Sequence, residues 1–153
     1  MERFSQLALI ALMSMTPVIE LKGSIITGLA MGYPLWEVFA IAWLFSCLPA
    51  PVVIIFLKPL TRRLRHLPRL RGFLDRRVSG AMRKAETIRK YSLLGLFAFV
   101  AIPLPGTGVW SGSVISAVLD LDVKKSVLVI SLGNLVAGVA ILTVFNGIFG
   151  IIR

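Results

Sequence analysis

TPVIELKGS, residues 16 to 24, sets a carboxylate, Glu20, and an amine, Lys22, in the middle of apolar sequence just after a proline. A second interrupted stretch, IPLPGTGVWSGS, residues 102 to 113, lies towards the other end of the chain. In a bilayer, prolines, glycines and ionisable groups persist at hydrocarbon depth only where protein or a water-filled cavity surrounds them. If the chain lies in a membrane, these two breaks are its candidate working segments.

Composition supplies that condition. Of 153 residues, 57% are hydrophobic, and the mean hydropathy of +0.88 exceeds what a soluble domain with a polar exterior carries. The expectation is an all-α integral membrane protein, multi-pass in the cell membrane and built as a single membrane domain. The sole cysteine, Cys47, sits in the apolar run AWLFSCLPAPVVIIFL, where a thiol is a small hydrophobe with no disulfide partner in the chain. Arg3 followed by apolar Leu7 to Met13 imitates a signal peptide, but a small-x-small cleavage site is missing and the segment is expected to be retained.

Charge is concentrated. Between Lys58 and Lys90 stand twelve basic residues against Asp75 and Glu86, which equals the net charge of +10 for the whole chain. In a soluble protein such a block would suggest nucleic acid; between apolar segments it reads as the positive-inside signal, with no nucleic-acid partner. Residues 58–90 are therefore expected on the cytoplasmic side and both termini outside. Leu60, Leu64 and Leu67, then Met82, Ala85 and Ile88, recur at helical spacing, which suits a basic amphipathic helical segment on the inner leaflet. Arg62, Arg63, Arg65, Arg69 and Arg71 are the expected contacts to anionic headgroups and membrane lipids, or else a solvated anchor that only sets orientation. His66 has no second histidine or nearby cysteine and reads as a surface group.

Val38 to Leu57 and Val127 to Ile152 are charge-free runs long enough to cross a core of ~30 Å. Pro49 and Pro51 should kink the first, and Gly133, Ala137 and Gly138 should admit a close helix to the second. Leu7 to Met15 and Leu93 to Ile102 are too short to cross alone, and each precedes a break and another short apolar piece. A short helix, a break and a returning short helix make a re-entrant hairpin. The order is then repeat 1 over 1–57 (hairpin 5–32, span 34–57), the basic segment 58–90, and repeat 2 over 91–153 (hairpin 91–121, span 124–152). A shift of 89 positions superposes Gly23 on Gly112, Ser24 on Ser113, Ile26 on Ile115, Val38 on Val127, Ile41 on Ile130 and Phe56 on Phe145. Halves of this kind, each with one crossing, must lie upside down relative to one another: an inverted repeat of hairpin plus transmembrane helix.

Glu20 is the expected proton-coupling acid, with Lys22 beside it as a cation, although at two residues' separation a regular helix would point them apart. The alternative is that this hairpin tip reaches headgroup depth and both groups are simply wet. In the second break, prolines free carbonyls, glycines allow close approach, and the amides that open the Trp110 helix suit a phosphate or carboxylate. The expected substrate-binding set is Lys22, Gly23, Ser24, Pro103, Pro105, Gly106, Thr107, Gly108, Trp110, Ser111 and Ser113; a plain structural turn is the alternative. No catalytic constellation, metal-ligand cluster or Walker-type lysine is present in the sequence, so neither an enzyme nor a metal or other cofactor is expected.

TPVIELKGSIITGLAMG, a long basic middle and AIPLPGTGVWSGS together resemble the bacterial and archaeal family of putative small multidrug export proteins, over nearly the whole chain. That family is similar, more distantly, to the DedA membrane proteins, whose opposed re-entrant loops are implied in lipid-carrier translocation. The resemblance maps the acidic position of the first DedA loop onto Glu20. The arginine of the second loop has no counterpart between Ile102 and Ser113, and Lys22 would supply the cation instead. Three readings follow: a homo-oligomeric (simplest as a dimer) transporter or translocase of a polyprenyl-phosphate or similar anionic amphiphile, a proton-coupled exporter of cationic amphiphiles, and a non-transporting membrane scaffold.

Overall fold

The computed structural model describes residues 2–65, 85–104 and 106–149, with side chains 64, 65, 85–91 and 145–149 left aside. Among them are seven helices and no strand: α1 Glu2–Met15, α2 Glu20–Ala30, α3 Leu35–Cys47, α4 Pro49–Arg65, α5 Ala85–Ala101, α6 Val109–Val118 and α7 Val123–Phe149. His66, Arg69, Arg71, Pro105 and residues 150–152 of the expected second span lie outside the described residues.

Two candidate spans emerge. Leu35–Arg63 is a 29-residue rod formed by α3 and α4, and Val123–Val144 is 22 residues of α7. At about 1.5 Å per residue both exceed a hydrocarbon core of ~30 Å. Pro49 lacks an N–H, and the rod accommodates this at Leu48, whose N–H bonds Phe45 O at 3.3 Å while its own backbone stays helical (φ −58°, ψ −38°). The helix does not stop where the basic residues begin. α4 continues through Lys58 and Pro59 to Arg65 because Lys58 and Thr61 bond carbonyls of the second hairpin's turn.

α1, α2 and α3 pack around Ile10, Leu21, Ile25, Val38 and Ala42. The second core, Ala50, Ile54, Leu96, Val100, Val109, Leu121 and Ile130, joins α4 to α5, α6 and α7. α5 lies against α7 at Gly133, where a Cβ would come within 2.9 Å of Phe97 O, and Gly138 similarly receives Phe39 and Leu21. Phe56, Ile55 and Val52 on α4, and Leu128, Leu132 and Val139 on α7, stay exposed, as suits a hydrocarbon surround.

Turn hydrogen bonds and buried positions recur at a separation of 88, one less than the shift that sequence identities suggest. After α2, the N–H groups of Met31, Gly32 and Tyr33 bond the carbonyls of Thr27, Leu29 and Gly28; after α6, those of Leu119, Asp120 and Leu121 bond Ile115, Ala117 and Ser116. Gly32 and Asp120 both have positive φ, 82° and 53°. Leu21, Ser24, Ile25 and Gly28 are buried on α2, as are Val109, Gly112, Ser113 and Ser116, each 88 residues on, on α6. Val38, Ala42 and Ser46 correspond likewise to Ser126, Ile130 and Asn134. Equivalent positions also touch. Trp43 Nε1 donates to Ser131 O at 3.1 Å and Asn134 Nδ2 to Ser46 Oγ at 2.7 Å, where α3 crosses α7.

The turn after α2 leads into the Leu35 end of the first rod, whereas the turn after α6 sits beside Lys58 and Arg62 at its other end. The two turns therefore lie beside opposite ends of that rod.

Candidate functional site

Pro17 interrupts the first hairpin, and Glu20 reopens it with a φ of 47°, a left-handed conformation that costs a residue with a side chain about 1–2 kcal/mol. Glu20 N–H still bonds Thr16 O at 3.2 Å, and Ser24 Oγ bonds Glu20 O at 2.8 Å. The strained start aims the carboxylate at the second break. There it accepts a long hydrogen bond, 3.4 Å, from the backbone N–H of Trp110 in the first turn of α6. Gly108, the residue before that helix, is where a Cβ would collide with the Glu20 carboxylate. A helix N-terminus suits an anion, and here the protein's own carboxylate fills it.

Lys22 reaches the same break independently. Its ammonium donates to Thr107 O at 2.7 Å and to Leu104 O. Thr107 holds that loop in shape: its hydroxyl donates to Ile102 O at 2.5 Å and accepts the Leu104 N–H at 3.2 Å. In return Trp110, which corresponds to Lys22 at the 88-residue separation, donates its Nε1–H to Met15 O at 3.1 Å at the end of α1. Each break thus receives a side-chain N–H from the equivalent position of the other half.

Around these contacts lies a cavity of about 640 Å³ lined by Pro17, Val18, Ile19, Glu20, Lys22, Gly23, Pro103, Gly106 and Ser111. Of the residues expected from sequence, Lys22, Gly23, Pro103, Gly106 and Ser111 line it with Glu20, while Thr107, Gly108 and Trp110 hold its polar groups in place. Ser24 and Ser113 lie elsewhere. Both are fully buried, with their hydroxyls turned back to the carbonyls of Glu20 and Val109 on their own helices. Glu20 and Lys22 do not form an ion pair with each other: the first binds an amide and the second binds carbonyls.

A separate polar cluster occupies the basic end. Asp120 accepts from Arg62 at 3.0 Å and lies 3.5 Å from Lys58, Lys58 also donates to Leu121 O, and Thr61 Oγ1 donates to Ala117 O at 3.2 Å. Partial burial pushes the Asp120 carboxyl up, but the Arg62 hydrogen bond and the Arg62 and Lys58 charges outweigh it and hold the group below the ordinary aspartate value of 3.8. Asp122 caps α7, accepting the Lys125 N–H at 2.9 Å. Arg62 is thus engaged by Asp120, Arg63 is exposed, and the side chain of Arg65 is outside the described set. Sequence reading did not foresee this cluster, because Asp120 and Lys58 are 62 positions apart and share no motif.

Among the described residues, no group of three or more His, Cys, Asp or Glu could hold a metal ion. No curated protein and no solved structure matches the chain. The sequence profile described as "Putative small multi-drug export protein" matches residues 20–140, from Glu20 at the end of the first break through the second break to the middle of α7, and the chain belongs to that family.

Proposed function

We propose that the protein is a small membrane transporter in which two re-entrant hairpins, related as an inverted repeat, enclose a substrate site near mid-depth. α2 and α6 are 11 and 10 residues long, about 15 Å each or half of a hydrocarbon core, so hairpins whose turns rest at opposite surfaces bring their breaks together at the centre. Site-bearing broken helices at a repeat interface are a transporter arrangement. The observation that carries the reading is the convergence of Glu20 and Lys22 on the second break around one cavity. In a low-dielectric setting such groups are costly, which favours a working role over a decorative one.

Glu20 is assigned the proton-carrying role. Lys22, whose ammonium has three protons and meets two carbonyls, keeps one for an anionic amphiphile such as a polyprenyl phosphate. Lipids of the inner leaflet and a second copy of the chain are the proposed neighbours of the exposed apolar faces of α4 and α7.

A second reading, proton-coupled export of cationic amphiphiles, is favoured by the family description and by the engagement of Lys22 with carbonyls. It leaves the Glu20 carboxylate as the charge open to a substrate cation. Proteoliposome transport with Glu20→Gln and Lys22→Ala separates the two. Loss of polyprenyl-phosphate movement in both variants supports the first reading. Drug efflux that needs Glu20 and survives Lys22→Ala supports the second. Indifference to both substitutions, with sensitivity to loss of the basic-segment arginines, returns the protein to the scaffold class.

A further inference from the structure

The polar contacts at the two hairpin turns differ in what they join. At the first turn, Tyr33 OH donates to Gln6 at 2.5 Å and Arg3 pairs with Glu37 at 2.9 Å, so among the described side chains these partners belong to the same half. At the second turn the partners cross between halves: Lys58, Thr61 and Arg62 of α4 hold Leu121, Ala117 and Asp120. The 88-residue correspondence shows that the difference is written into the sequence. Asp120 corresponds to Gly32, Lys58 to Asn146 and Arg62 to Gly150, so the mirrored positions carry no charge with which to build the same contact.

α6 connects this cluster to the cavity. Its C-terminal turn lies under Lys58, and its first turn carries Trp110 and Ser111 at the cavity, about 15 Å away at the helical rise. Ala50 and Ile54 of α4, both fully buried, press against the same side of the hairpin through Val109 and Leu121. We propose that Lys58, Thr61 and Arg62 form a one-sided latch between the halves, which closes the cavity towards the basic end and whose release lets α6 swing from α4 to open it there. The proposal rests on the cavity being the substrate site, and its test reads access rather than transport. An exposed ion pair such as Arg62–Asp120 is a modest, salt-sensitive contact, as suits a latch that must open.

The test uses the full chain with Cys47→Ala, Ser111→Cys as the reporter and a membrane-impermeant maleimide applied to each side of sealed vesicles. Lys125→Cys, in a separate variant, marks the basic side. Ser111→Cys should label slowly from that side, and Asp120→Asn, which tolerates positive φ, should raise the rate at least fivefold. Lys58→Met should act the same way. If either variant fails to fold, labelling of the latched chain at low and high salt gives the same readout, with faster labelling in high salt expected. Equal rates with and without these changes would overturn the latch even if transport is found. Faster labelling without any transport would leave the latch standing and remove the transport reading.

Discussion

The carboxylate of Glu20 stands where a Cβ on Gly108 would have to be, and the two residues occupy the same position, 88 apart, in their respective halves. With Trp43 against Ser131 and Ser46 against Asn134, this makes three places at which equivalent residues meet. Residues that correspond at this separation thus meet both at the proposed site and at the crossing of α3 and α7.

Gly108→Ala should abolish the Glu20–Trp110 contact without straining the backbone, since Gly108 is extended at φ −168°. Transport should fall at least tenfold while the protein still elutes as folded. Adding Glu20→Ala should cost nothing further, a non-additivity read from the two single variants and the double. Gly106→Ala is the contrasting case: it has open space but a φ of 83°, so it should cost about 1–2 kcal/mol of stability and leave the Glu20 contact intact.

The crossing of α3 and α7 is held by Asn134 on Ser46 at 2.7 Å, both buried. A double-mutant cycle with Ser46→Ala and Asn134→Ala, followed by reversible unfolding in mixed micelles, should give a coupling of about 0.6 kcal/mol and no more than ~1.7, the range for hydrogen bonds between membrane helices. No coupling would mean that the two helices do not meet there.

Gly133 lets α5 approach within reach of backbone: an added Cβ would meet Phe97 O at 2.9 Å and Val100 Cβ at 3.0 Å. Gly133→Val should therefore destabilise the fold by about 1–3 kcal/mol. Gly95→Ala, at a position open to within 4 Å, should change stability little.

Asp120 supplies a pH signature. Its folded value is depressed by Arg62 and Lys58 against the opposing effect of burial. The stabilisation it gives is therefore complete above the ordinary aspartate value and is lost as pH falls through the lower folded one. The stability difference between the unmodified chain and Asp120→Asn should stay constant from pH 7 to about 4.5 and shrink only below the ordinary value of 3.8. A difference that does not change as pH falls below that value would show that the pairing is absent.

Much of this is legible in the chain itself. Prolines at 17, 103 and 105, with Glu20 and Lys22 in apolar sequence, located both breaks, because such groups cannot face lipid. Small residues at 133 and 138 located close helix contacts. Sequence identities suggest a shift of 89, which aligns Gly23 with Gly112, whereas helix caps and burial recur at 88. Two apolar segments match under many shifts, and only the pattern of buried positions and caps selects one. The partners of Glu20 and Lys22 were also out of reach of sequence, since both are backbone groups that carry no side-chain signature. The continuation of α4 past Leu57 is hidden from sequence for a related reason. Lys58 looks like the start of a surface segment until its carbonyl partner 63 positions away is known.

Opposed insertion of the two hairpins is the claim on which the site depends, and Met31 and Leu119 test it, being the equivalent exposed residues of the two turns. Single cysteines placed there with Cys47→Ala, probed with an impermeant maleimide in vesicles of known orientation, should label from opposite sides, Leu119→Cys from the same side as Lys125→Cys. Labelling of both turns from one side would contradict the account.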